Sequence, residues 1–250
     1  MAFVTEIKDR VGHIRFAFGS ANAIGVDFLS GLETAFDAVA VADAVVLTGD
    51  GAAFSAGLDL RTLLTLDEAA VSSFIQHFCR LMEKVFLWPA PTIAALNGHA
   101  IAGGFVLAGA CDVRLLARGP AKLGMTGVAL GITYPSFVTS ILQYSVPKAA
   151  WHPVLLEGRL FSVDAALTAQ LVDDVVEPEV LGERALERAR ALAMGDRDAY
   201  ARTKRMLKWD AVTRARELAA ESYGAFVAAL FVPSTRARLT AAVERLKTKR

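Results

Sequence analysis

The sequence predicts an α/β fold whose C-terminal part is all helix. Three observations predict it. Apolar residues switch repeatedly between a period of two and helical spacing through about residue 179. Gly- and Pro-bearing turns punctuate the switches. Beyond Glu179 strand signals vanish, and Ala, Arg, Glu and Leu dominate to Arg250. Alternating strand and helix is the pattern of an α/β core built from successive turns. The chain is therefore divided into a core, residues 1–190, and a helical region, residues 191–250.

The elements follow in order. Val4–Lys8 and His13–Phe18 alternate apolar with polar residues and read as paired strands. Phe28, Leu29, Leu32, Phe36 and Val39 recur at helical spacing. Ala44–Thr48 is a buried strand closed by Gly49-Asp-Gly51. Phe74, Ile75, Phe78, Leu81, Met82, Val85 and Phe86 stripe a longer helix that stops before Pro89 and Pro91. Thr92–Leu96 and Asp112–Ala117 are further strands. Ser162 is placed to cap a short helix, and Leu171–Val176 is the last strand.

Composition narrows the function classes. The chain has 250 residues, 54% hydrophobic and 21% charged, ample for a large core. A net charge of +1 gives no global reason to expect nucleic acid or an anionic membrane as partner. Cys79 and Cys111 sit in apolar helical contexts and read as reduced, buried thiols. No Cys/His cluster has metal spacing, so no metal is expected. The N-terminus is charged and strand-like, unlike a signal peptide, and no apolar run is long enough to span a bilayer. A soluble, cytoplasmic protein is expected.

Two segments carry most of the chemistry: Ala53-Phe-Ser-Ala-Gly-Leu-Asp-Leu60 and Asn97-Gly-His-Ala-Ile-Ala-Gly-Gly-Phe-Val-Leu107. Each is a small-residue turn between an apolar run and a helix-like stretch. Backbone N–H groups at such turns are unpaired, and two brought together can hold a developing oxyanion. Leu123-Gly-Met-Thr-Gly-Val-Ala-Leu-Gly-Ile132 and Leu155-Leu-Glu-Gly-Arg-Leu-Phe-Ser-Val-Asp-Ala-Ala166, with Leu171-Val-Asp-Asp-Val-Val176, stand in register with them.

These four stretches resemble motifs of the crotonase superfamily, the enoyl-CoA hydratases and isomerases. The resemblance runs from about residue 4 to the C-terminus. It is strongest to mitochondrial-type isomerases, in Ala102-Gly-Gly-Phe-Val-Leu-Ala, Leu130-Gly-Ile and Val243-Glu-Arg-Leu-Lys247. It implies a spiral of ββα units and a helical tail that covers the site and builds a homotrimer or a hexamer. It implies an acyl-CoA thioester as substrate, with coenzyme A entering as part of that substrate and no separate cofactor. The implied oxyanion donors are the N–H groups of Leu58 and Gly103, in turns completed by Gly57 and Gly104. Ala56 and Leu60 would flank adenine and pantetheine, and Ala21 falls in another CoA-contacting stretch.

The resemblance also marks an omission. The family's hydratases use two glutamates, which here are Val106 and Gly127; neither can carry a proton. The isomerases often keep only the second, again Gly127. Tyr134 is the best remaining protic group, and Met125-Thr-Gly-Val-Ala-Leu-Gly-Ile-Thr-Tyr134 resembles methylmalonyl-CoA decarboxylases. Those carry a histidine where this chain has Leu58. The first expectation is therefore double-bond migration with a non-standard proton carrier. The second is decarboxylation of a malonyl-type thioester, which forms the enolate without a base. The third is a CoA binder without catalysis. Adding Glu at Gly127 should raise isomerase activity.

Other residues receive plainer readings. His99 packs in its turn, Asp59 caps a helix, Ser136 caps the helix after Pro135, and His152 is a helix residue. Glu221 and Tyr223 stand in the tail, where the sequence leaves open whether they reach their own active site, a neighbouring one or neither. Lys247, Lys249 and Arg250 read as a solvated end, or as a contact for the CoA phosphates. Phe105, Val106, Met125 and Phe137 suggest an apolar acyl pocket.

Overall fold

The computed structural model describes residues 2–248. In chain order the first elements are β1 (Phe3–Lys8), β2 (Val11–Phe16), α1 (Val26–Ala38), β3 (Ala44–Gly49), β4 (Ala53–Ser55), α2 (Leu60–Thr65) and α3 (Glu68–Phe86). Then come β5 (Thr92–Leu96), β6 (His99–Ile101), α4 (Gly103–Ala110), β7 (Val113–Ala117), β8 (Leu123–Gly124), α5 (Gly127–Leu130) and α6 (Ser136–Ser145). The chain ends with β9 (Leu160–Phe161), α7 (Val163–Thr168), β10 (Asp174–Val176), α8 (Leu181–Ala193), α9 (Arg197–Glu217), α10 (Ala219–Phe231) and α11 (Pro233–Thr248).

Two sheets form. The larger has the order β1-β2-β3-β5-β7-β10, with β1 antiparallel to β2 and every other pair parallel. β5 and β7 are buried along their whole length, as parallel strands covered on both faces must be. Alternation sorts the side chains of β3 and β5. Val45, Leu47, Ala94 and Leu96 enter the main core, while Ala44, Val46, Ile93 and Ala95 face Leu181, Ala185 and Ala189 of α8. Residue 190, where the core was divided from the tail, therefore lies inside a helix that packs on the sheet.

The smaller sheet, β4-β6-β8-β9, is built from strands of two or three residues. Sequence periodicity did not show it, because alternation over three residues carries no signal. It places the two Gly-rich segments side by side, since β4 and β6 pair in parallel.

Capping follows the sequence in part. Asp59 and Asp67 accept N–H bonds at the starts of α2 and α3. Ser162 makes no side-chain cap to α7. Ser136 is the first residue of α6 rather than its cap, and its hydroxyl donates to the Ala215 carbonyl, tying α6 to α9. Cys79 and Cys111 are buried free thiols.

Candidate active site

The first loop is fixed by buried hydrogen bonds. Asn22, fully buried, accepts from Phe18 N–H and donates to the Asp50 and Ala53 carbonyls. Ser55 Oγ donates to the Asn22 carbonyl and accepts from Gly57 N–H. Ala56 N–H donates to Ala21 O at 2.8 Å. Asn22 was not singled out from the sequence; a lone Asn beside Ala21 carries no signal there.

The direction of the Leu58 amide follows from its neighbours. Ile24 N–H donates to Gly57 O at 2.8 Å, and Asp59 N–H donates to Ile24 O at 3.0 Å. Along an extended backbone, successive N–H groups point to opposite sides. With Asp59 N–H turned toward Ile24, Leu58 N–H points away from it. Gly57 makes the turn possible at φ +93°, and a Cβ there would lie 2.9 Å from Ala102 Cβ and 3.0 Å from Gly103 N.

The second amide belongs to a helix start. Ala102 precedes α4 at φ +49°, ψ −118°, a conformation that costs an L-residue energy and that the surrounding bonds must hold. Its N–H donates to Gly124 O, and its carbonyl accepts from Val106 N–H. Gly103 is the first helical residue, where N–H groups have no intrahelical acceptor. A Cβ on Gly103 would lie 3.4 Å from Leu58 N, so the two amides are neighbours. Neither donates to an acceptor among the described residues. Gly104 lies behind them against Ser55, where a Cβ would meet backbone.

Leu58 and Gly103 both line one cavity of about 90 Å³. Ala56, Leu58, Leu60, Gly103, Val106, Gly127 and Tyr134 all line it. Ala21, Gly57 and Gly104 do not; they hold the loops in place from behind. Met125 and Val106 contribute to the apolar wall as expected, but Phe105 and Phe137 are core residues away from it. Ile75 and Phe78 of α3, Val138 of α6 and Phe226 of α10 also line it. The tail thus reaches the site through Phe226. Tyr223 and Glu221 are not on the wall. His99 accepts from Lys122 N–H, and His152 pairs with Glu157 on the surface. Lys249 and Arg250 lie outside the described residues, as does the side chain of Lys247.

Tyr134 and Gly127 form one unit. The Tyr134 hydroxyl accepts from Val128 N–H at 3.3 Å. Its ring lies where a side chain at position 127 would go: a Cβ there would lie 3.2 Å from the hydroxyl oxygen and overlap the ring edge. Burial pushes the phenol pKa up, against the opposing pull of the Val128 and Gly127 amides. The group is a neutral donor at physiological pH. Among the residues on the wall, only Tyr134 and Thr126 carry protic side chains.

The sequence profile described as enoyl-CoA hydratase/isomerase matches residues 6–249. The chain belongs to the enoyl-CoA hydratase/isomerase family. A protein named putative enoyl-CoA hydratase from Thermus thermophilus is 41% identical over 153 residues, which is 60% of this chain and 58% of that protein. A probable enoyl-CoA hydratase from Rhizobium meliloti is 32% identical over 219 residues, covering 86% of this chain and 82% of that one. The crystal structure of human mitochondrial delta3-delta2-enoyl-CoA isomerase matches with a TM-score of 0.92 at 27% identity, covering 100% of both chains. The crotonase-type architecture and the membership expected from the four motifs both hold. Within the enoyl-CoA hydratase/isomerase family, this chain's cavity has no carboxylate on its wall among the described residues.

Proposed function

We propose that this protein binds an acyl-CoA thioester with its carbonyl oxygen between Leu58 N–H and Gly103 N–H, and stabilises the enolate that forms there. One observation carries the reading: two neighbouring amides from separate loops have no acceptor among the described residues, and both belong to residues that line one apolar cavity. The dipole of α4 adds positive potential where negative charge develops. In other enzymes, losing one such donor costs about 2.7–4 kcal/mol of transition-state stabilisation. Ala56 and Leu60 stand at the cavity wall for the CoA portion.

The reaction served best is one whose enolate arises without a base. Hydration needs a group to activate water, and double-bond migration needs one to remove a proton. Among the described residues the wall offers the Thr126 hydroxyl and a phenol whose pKa is raised, both weak bases, and of the two the phenol is the better acid. Loss of CO2 from a malonyl-type thioester leaves its electron pair as the enolate directly, and Tyr134 then delivers a proton to carbon. An apolar wall also disfavours a bound carboxylate and favours its departure as neutral CO2. Double-bond migration is the second reading, favoured by the whole-chain likeness to an isomerase; it requires Tyr134 or water as proton carrier. A homotrimer or dimer of trimers is proposed as the assembly, in the cytoplasm, with coenzyme A only as part of the substrate.

The test is a panel of malonyl-, methylmalonyl-, 3-enoyl- and 2-enoyl-CoA followed by mass spectrometry. Release of CO2 with the enoyl esters untouched supports decarboxylation. Conversion of 3-enoyl to 2-enoyl ester replaces it with migration. Tight binding of every ester without turnover assigns a non-catalytic binder.

A further inference from the structure

We propose that the protein is selective for short over long acyl groups, and that Phe78 and Phe226 set the limit. The inference rests on the thioester reading above and adds the size of the acyl group to it. The cavity beside the two amides measures about 90 Å³. Pockets for drug-sized ligands start at about 300 Å³.

The boundary is built from core side chains. Phe78 is 1% exposed and Phe226 is 3% exposed, and both belong to the main core cluster with Ile75 and Val138. They come from α3, α6 and α10, which pack on one another beyond the cavity. The side chains that α3, α6 and α10 contribute to the wall, Ile75, Phe78, Val138 and Phe226, are all apolar. A longer acyl chain must displace close-packed aromatic rings, and overpacking a filled core is unfavourable. The tail thereby acts on specificity, because Phe226 belongs to α10.

The experiment measures binding of saturated acyl-CoA esters, from acetyl to dodecanoyl, to the intact protein by isothermal titration calorimetry. Saturated esters are not turned over, so the result is independent of which reaction is catalysed. Affinity is expected to be highest among the short esters and to fall at least tenfold by octanoyl. Phe226→Ala, with Phe226→Leu as the milder change should the first not fold, is expected to recover octanoyl binding relative to butanoyl. Equal affinity from butanoyl to dodecanoyl overturns the length limit and leaves the thioester reading intact. Failure of CoA and of every ester to bind overturns the thioester reading, and this inference with it. Octanoyl binding unchanged in a folded Phe226 variant assigns the boundary elsewhere and overturns the role of that residue.

Discussion

At position 134 a single hydroxyl separates two chemistries. Tyr134→Phe keeps the ring over Gly127 and removes only the acid. On the proposed reading kcat falls about 10²–10⁴-fold, the usual contribution of a positioned proton donor, while KM and Tm change little. Steady-state kinetics and a thermal melt check this. The pH profile supplies the sign. The active form is the protonated phenol, and burial raises its pKa above the ordinary value of about 10. The rate should stay level between pH 7 and 9.5 and fall only above the ordinary tyrosine range. A rate that instead climbs tenfold per pH unit would make the phenolate a base and favour migration. Gly127 then acquires a second meaning. Adding Glu there was expected to raise isomerase activity, but its Cβ would overlap the Tyr134 ring. The single change should therefore displace the phenol and lose the native reaction. Gly127→Glu combined with Tyr134→Ala removes the obstruction, and that pair is expected to gain conversion of 3-enoyl-CoA to 2-enoyl-CoA by an absorbance assay.

Between elements, the strongest polar tie anchors α9 to the sheet. Asp112, just before β7, accepts from Lys204 Nζ at 2.7 Å and from Lys208 Nζ at 2.8 Å. Each ammonium also donates to a backbone carbonyl, of Ala90 and of Phe86. The cleft beside them is lined by Asp112, Lys204 and Lys208 together with Arg114, which pairs with Asp173. Burial pushes the Asp112 carboxyl up, but the two ammoniums outweigh it and hold it below the usual carboxylate range. Asp112→Asn leaves two buried ammoniums facing an amide and should cost about 3–5 kcal/mol, read as a fall in Tm of roughly 10 °C or more. The folded pKa is lower than the unfolded one. Its contribution is therefore full above about pH 4 and is lost as pH falls through the depressed value. The gap between wild type and variant, measured by denaturant melts, should hold from pH 7 to 5 and close below 4. This tie was illegible in the sequence, because its partners lie 92 and 96 positions apart and no periodicity links them. The stripes of α1 and α3 and the alternation of β1 and β2 were legible, being repeated over enough residues to set a face. The Gly-rich turns were legible as places for free amides. That Tyr134 fills the space Gly127 leaves empty was not, since it is a fact of two side-chain volumes in one location.

Over the whole molecule, the tail does two things that composition alone did not separate. Its inner side lines the cavity through Phe226 and locks to the core through Lys204 and Lys208. Its outer side exposes Met206 at 75%, Leu207 at 66% and Trp209 at 58%, all on α9. Large apolar side chains grouped in the open are a common mark of an interface. A second copy of this chain is the occupant that the proposed trimer would supply, and Trp is a frequent anchor in such contacts. Light scattering after size exclusion should then give a mass three times that of one chain, or six. Met206→Lys with Trp209→Lys puts two like charges on that patch and leaves the cleft of Lys204 and Lys208 and the acyl cavity unchanged, so Tm of the isolated subunit should be little affected. The expected result is a shift to monomer at micromolar concentration. Because Phe226 reaches the cavity of its own subunit, the monomer should still bind a short acyl-CoA ester. An unchanged trimer would move the contact to another face of the tail, and a wild-type monomer would remove it altogether.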